Sequence, residues 1–366
     1  TLRGLTLPNR IVISPMCQYS ARDGCASDWH VIHLGHLSLS GAALLIVEAT
    51  GVESRGRISP GCLGLYSAEN EAALARVLAA CRAWGNTRLG IQLAHAGRKA
   101  SARVPWEGGG PLGAEESPWQ TVAPSALPFG PGWPVPQALD EQGLAAVRDA
   151  FVQAAQRAAR VGLDLVELHM AHGYLLHEFL SPLSNRRQDA YGGSLENRMR
   201  FPLEVAAAVR QAWPAERPLG ARITGSDWLP GGVTPEEATL LAQRLAQVGC
   251  DYVCVSSGGI TAEAQPRVGP GYQVPFAAQV RAGAGLPVWA VGMIADPHQA
   301  NAIVTSGQAD MVALARGILD NPRWPWHAAQ ALGAQVEYPR QYLRSHPSKW
   351  PGAALARPAA SGIHAK

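Results

Sequence analysis

The chain has 366 residues, 47% of them hydrophobic, enough for one large α/β domain or two ordinary ones, and nothing in its composition suggests disorder. With 31 basic against 28 acidic side chains the net charge is only +3, and no long basic run argues for a nucleic-acid partner. The longest apolar stretches are strand-sized, short of the roughly 20 residues a membrane span needs, and the N-terminus has no leader pattern, so the expectation is a soluble, cytoplasmic protein without membrane partners.

Short apolar runs alternate with Gly- or Pro-bearing loops and amphipathic stretches, the beat of βα units. Strand-like runs at 11–14, 43–47, 89–93 and 163–168 precede helical patterns near 31–40, 69–84, 141–161 and 195–213, the third only after a long insertion. Runs at 219–223, 252–255, 288–291 and 311–314 precede helices near 235–248, 275–282, 297–306 and 325–332. Pro235, Pro297 and Pro325 fall in the first turn of their helices, where the missing N–H costs nothing. Eight strands, each with a helix, argue for a single closed (β/α)8 TIM barrel over residues 1–366 rather than an open doubly wound sheet.

Two segments break the beat. Residues 95–138, after the third strand, are rich in Gly and Pro and hold Trp106, Trp119 and Trp133; such an excursion reads as a capping insertion over a site, its tryptophans either packing the cap or meeting substrate. Residues 335–366 form a Pro- and Ala-rich arm with Tyr338, Tyr342 and Trp350, either frayed or docked on a neighbouring subunit. The six cysteines are scattered, which argues against a disulfide scaffold.

In a barrel the chemistry gathers at the C-terminal ends of the strands. The densest candidate is His169-Met170-Ala171-His172-Gly173-Tyr174, two imidazoles and a phenol at the end of the fourth strand. The other strand ends supply Ser14-Pro15-Met16-Cys17-Gln18-Tyr19, then Glu48-Ala49-Thr50, Gln92 with His95 to Lys99, Arg222, Ser256, Gly292 and Ala315-Arg316. A planar heterocycle with a phosphate tail suits this set, with Gln92 and Arg222 at the ring edge and Gly292 and Arg316 at the phosphate. Spacing alone leaves alternatives: a His pair three apart is more often a structural feature or metal half-site than an oxyanion clamp, Cys17 by itself reads as a small buried hydrophobe, and Arg316 as an ordinary ion-pair partner. The competing reading is a barrel without such a heterocycle, either a non-catalytic binding protein or a zinc-dependent lyase or hydrolase using Cys17, His169 and His172.

Four motifs carry a family resemblance that spans nearly the whole chain: Ser-Pro-Met-Cys-Gln-Tyr at 14–19, Ile-Gln-Leu-Ala-His-Ala-Gly-Arg-Lys at 91–99, His-Met-Ala-His-Gly-Tyr at 169–174 and Ser-Asn-Arg-Arg-Gln-Asp-Ala-Tyr-Gly-Gly-Ser-Leu-Glu-Asn-Arg at 184–198. The chain resembles the Old Yellow Enzyme family of FMN-dependent ene reductases, and more closely its thermophilic-like subclass. The resemblance implies a ping-pong cycle in which NADPH or NADH reduces FMN, leaves, and is replaced by an enone, maleimide or nitroalkene. No GxGxxG fingerprint opens a βαβ unit, in keeping with a transient nicotinamide.

By the same resemblance His169 and His172 clamp the substrate oxygen, Tyr174 protonates the α-carbon, and Cys17 and Tyr19 face flavin and substrate. Ser14, Pro15, Met16, Cys17, Ala49, Gln92, Arg222, Ser256, Gly292, Ala315 and Arg316 would hold FMN. Lys99 would reach the substrate rim, and Arg344 would enter the site of an adjacent subunit, which implies a homodimer or homotetramer. No resident metal is implied. Ala315 departs from the Gly of many relatives, and an α or β backbone there would tolerate its methyl.

Overall fold

The computed structural model describes residues 1–356. β1 (Ile11–Ile13), β2 (Leu44–Gly51) and β3 (Arg88–Ala94) are followed by a short pair within the insertion, β4 (Val122–Ala123) and β5 (Gln137–Ala138). Next come β6 (Leu165–Met170), β7 (Leu219–Thr224), β8 (Tyr252–Ser256), β9 (Val288–Ala290) and β10 (Met311–Leu314). All but β4 and β5 run parallel in one closed barrel, ordered β1-β10-β9-β8-β7-β6-β3-β2. The TIM barrel expected from the alternating pattern is therefore present. Several boundaries differ: β2 continues to Gly51, β6 to Met170 and β8 to Ser256, so Ala49, His169 and Ser256 lie within their strands rather than beyond them.

Local chemistry accounts for the helix starts. The side chains of Ser67, Asp140, Ser194 and Thr234 each accept the backbone N–H three residues on, satisfying a donor that has no intrahelical partner. Pro235 and Pro297 open their helices, and Pro325 follows Trp324 at the start of Trp324–Ala331.

The pleat sorts side chains between two cores. Val12, Leu44, Ile46, Leu165, Tyr252, Trp289 and Met311 cluster inside the barrel with Leu2 and Leu5. Ile13, Leu45, Val47, Ile91, Leu93, Val166, Leu168, Ile223 and Val255 face the helices in the larger core. Tyr252 stacks on Trp289 with ring centroids 3.6 Å apart. Gly220 makes room for that phenol, since a Cβ there would stand 2.1 Å from the ring.

The insertion is tied down by the long 184–198 motif: Arg187 donates to the carbonyls of Pro124 and Leu139, and Ser125 Oγ accepts from Arg186 N–H. The arm folds back on Trp324–Ala331, with Tyr338 4.0 Å from Trp326 and Arg323 5.1 Å from the Tyr342 ring centroid. The part of the expected 335–366 arm beyond residue 356 lies outside the described residues.

Candidate active site

Alternation along the strands turns Gln92, His169, Arg222 and Ser256 inward at one end of the barrel, beside Ser14 just past β1, and all five are buried. Gln92 Nε2 donates to Glu167 Oε1 at 2.8 Å, and the Tyr252 hydroxyl donates to Glu167 Oε2 at 3.1 Å. Glu167 thus orients the Gln92 amide. Burial raises the Glu167 carboxyl above its usual range, against the pull of Arg222, Gln92 and Tyr252. Arg222 pairs with His169 across β6 and β7. Its Nη2 lies 3.4 Å from Ser256 Oγ, while its buried Nε has no partner. The buried Ser14 Oγ is also unpartnered. Arg222 Nε and Ser14 Oγ are among several buried polar atoms without a partner, and these two share one mouth, where a polar heterocycle would satisfy both.

His169, His172 and Tyr174 meet edge to face. The His169 centroid is 5.1 Å from His172 and 4.9 Å from Tyr174. His169 Nδ1 accepts the Ala171 N–H at 3.3 Å, which puts the ring proton on Nε2. His172 Nε2 lies 2.7 Å from Ser256 Oγ. Burial, with Arg222 next, drives both imidazoles well below their ordinary pKa, so both are neutral at pH 7. Burial, with Cys17, Tyr19 and Cys62, drives the Tyr174 phenol well above its own and keeps it protonated.

Glu48, buried at a register shift in β2, accepts Gln18 N–H at 3.0 Å and faces His30 Nε2 at 3.2 Å, holding the loop that carries Cys17 and Tyr19. Burial, Cys62 and Glu48 all raise the Cys17 thiol, so it is neutral rather than a thiolate. Tyr19, at φ +51°, meets the Trp106 indole edge-on at 5.6 Å. The two line a 260 Å³ cavity with Arg103, Leu112 and Glu116. A larger cavity of 410 Å³, lined by Arg10, Ala42, Val312 and Leu332, lies beside the opposite ends of β1 and β2 and contains none of the expected site residues.

The remaining candidates separate. Ala49 is buried and pairs with Gln92 across β2 and β3. Pro15 and Met16 are half-buried, and Met16 packs on the outer core. Gly292 is buried at φ +120°, and a Cβ there would meet Gln273 Nε2 at 2.8 Å. Ala315 has φ −118° and ψ −97°, neither the α nor the β backbone expected, though its negative φ lies outside the left-handed region that favours glycine; Arg316 beside it is exposed. Lys99 Nζ donates to the carbonyls of His172 and Gly259 at 2.8 and 2.9 Å. Arg344 is exposed on the turn Arg340–Ser345. Trp119 packs the cap, donating to Arg55 O at 2.9 Å, whereas Trp106 is 68% exposed. Sequence reasoning passed over Glu167, His177, Glu178 and Asp227; for the first three the available signal was an ionisable residue inside an otherwise apolar strand or helix, whereas Asp227 lies in the loop after β7 and carried none.

Residues 1–335 match the NADH:flavin oxidoreductase / NADH oxidase family. The chain is 45% identical over 346 residues to an NADPH dehydrogenase of Geobacillus thermodenitrificans, covering 94% of this chain and 96% of that one. It is similar to the solved structure of morphinone reductase, at 29% identity and a TM-score of 0.76, covering 100% of this chain and 96% of that one. A 2-naphthoyl-CoA reductase complex shares the fold at a TM-score of 0.81 but only 22% identity, and the chain spans 51% of that protein's length and 91% of its own. Among the described residues no group of three His, Cys, Asp or Glu is arranged to hold a metal, and the family, rather than that absence, replaces the zinc alternative. The chain therefore belongs to the NADH:flavin oxidoreductase / NADH oxidase family, the Old Yellow Enzyme family of its motifs, and is an FMN-dependent oxidoreductase.

Proposed function

We propose that the enzyme uses NADPH, or NADH, to reduce the activated C=C bond of α,β-unsaturated carbonyl or nitro compounds. The observation that carries this reading is the cluster of two neutral imidazoles and one protonated phenol at 5.1 and 4.9 Å beside the unpartnered Arg222 Nε. FMN, when bound, supplies hydride transfer.

Gln92 and Arg222 fit the ring edge, where the fixed guanidinium charge favours an anionic reduced ring. Ser14, Pro15, Met16, Cys17, Ala49 and Ser256 would line its bed, and Gly292, Ala315 and Arg316 would take the phosphate. His169 and His172 donate N–H bonds to the carbonyl or nitro oxygen and stabilise the negative charge that develops on it. Tyr174 O–H then delivers a proton to the α-carbon, a task for which its raised pKa is suited because the proton is present throughout the neutral range. The neutral Cys17 thiol and Tyr19 complete the substrate side, and Lys99 stands behind the clamp. The exposed Arg344 is free to enter the site of a second copy, which makes the working unit at least a dimer.

The test is NADPH oxidation under nitrogen with a cyclic enone, a maleimide and a nitroalkene, with the products identified. Saturated products support the reading; NADPH consumption without loss of the C=C bond overturns it.

A further inference from the structure

The turn that carries His172 and Tyr174 is held from behind by groups that the proposed chemistry does not use. His172 has φ +61°, a left-handed conformation that residues with a Cβ rarely adopt. Gly173 follows at φ +74°, and a Cβ there would stand 2.0 Å from the Gly259 carbonyl oxygen. The turn after β6 and the loop after β8 therefore touch backbone to backbone. Their contact turns two carbonyl oxygens, of His172 and Gly259, toward one point, and the Lys99 ammonium lies there at 2.8 and 2.9 Å. The same ammonium lies 5.0 Å from the centroid of the Tyr174 ring.

The opposite side of the turn is held as well. Gly173 N–H donates to His177 Nδ1 at 2.8 Å, which requires the proton of this fully buried ring to be on Nε2. His177 Nε2 faces Asp227 Oδ1 at 3.1 Å. The other Asp227 oxygen accepts Ser181 Oγ–H at 2.7 Å and Val233 N–H at 2.8 Å, so the carboxylate is held in place opposite Nε2, the nitrogen that carries the ring proton.

We infer that Lys99 and the His177–Asp227 pair are positioning residues, which lock the left-handed turn at His172–Gly173 and so aim the oxygen-binding imidazole and the proton-donating phenol. This rests on the functional reading above. Lys99→Met removes the bridge between two carbonyls and keeps the apolar stem. Asp227→Asn is nearly isosteric. Ser181 and Val233 already donate to one side of residue 227, so the new amide turns its oxygen to them and its NH2 to His177. The ring proton then moves to Nδ1, where it opposes Gly173 N–H.

The test measures a para-substituted phenol titrated into the FMN-loaded enzyme through its long-wavelength absorbance, together with the rate of reoxidation by an enone. Both variants are expected to bind the phenol about tenfold more weakly and to slow reoxidation at least as much. Combining either with His172→Ala is expected to weaken binding no further than His172→Ala alone, because the groups act through that residue. Crystals of Lys99→Met should show residue 172 leaving the left-handed region. Losses that multiply in the double variants, or an unmoved turn with unchanged phenol affinity, overturn the assignment. Should Lys99→Met fail to fold, Asp227→Asn carries the same comparison. A wild-type enzyme that gives no phenol band overturns the functional reading itself, a failure distinct from one confined to the variants.

Discussion

Tyr174→Phe removes one oxygen and leaves the ring. The edge-on contact with His169 at 4.9 Å and the Lys99 cation at 5.0 Å are both made by ring atoms that Phe retains, so folding should change little. What is lost is a buried O–H whose pKa lies well above 10.0 and which stays protonated at every working pH. A positioned general acid contributes roughly 10²–10⁴-fold, or about 3–5 kcal/mol of barrier at 1.36 kcal/mol per tenfold. Tyr19 and Cys17 are near enough to influence the phenol, and both keep their protons, so partial replacement is available and the lower end is expected, about 10²-fold. The assay separates the half-reactions in anaerobic stopped flow: flavin reduction by NADPH, then reoxidation by a cyclic enone. Reduction should stay near the wild-type rate while reoxidation falls. Equal loss in both steps would refute the proton-donor role, because hydride arrival needs no proton at the substrate carbon.

Arg222→Met removes a buried guanidinium whose Nε awaits a partner; FMN affinity should fall by about 10–100-fold, the scale of a hydrogen bond to a charged group, as read by fluorescence of the released flavin. Glu178 is held by burial at about 8 against an ordinary 4.5, so the folded chain keeps a proton that the unfolded chain gives up, and stability declines as pH rises through that window. Glu178→Gln keeps an acceptor for Arg98 N–H and should flatten the fall in melting temperature between pH 5 and 8; an unchanged slope would place the titration elsewhere. Gly220→Ala sets a methyl 2.1 Å from the Tyr252 ring and should destabilise the barrel by about 1–3 kcal/mol in urea unfolding, the usual cost of overpacking.

The barrel was legible because its signals are local. Apolar runs bounded by Gly and Pro mark the strands, and Ser67, Asp140, Ser194 and Thr234 announce helix starts within three residues. The short helices Leu175–Leu180 and Arg316–Asp320 escaped because they are too brief to display a helical period. His169, His172 and Tyr174 were legible as neighbours in sequence, but their shared neutral or protonated state depends on burial and on Arg222, which arrives from another strand. The partners of Gln92, His172 and Glu48 were hidden for the same reason: the contacts with Glu167, Ser256 and Gln18 join residues 75, 84 and 30 positions apart. The 184–198 motif marked the family, yet its contacts are scaffolding, with Asn185 holding the carbonyls of Phe179 and Tyr191 and Arg198 reaching Glu237 at 2.6 Å. Lys99 was expected at the substrate rim, and its two carbonyl contacts could be seen only once the turns after β6 and β8 were side by side.

The most direct test of the central claim is one anaerobic absorption series on the purified FMN-loaded protein, recorded before NADPH, after NADPH, and after 2-cyclohexenone. The account predicts a flavin band that bleaches with NADPH and returns with the enone as cyclohexanone forms. A band that bleaches and stays bleached until air is admitted would contradict it, leaving a flavin reductase whose clamp and phenol serve some other acceptor.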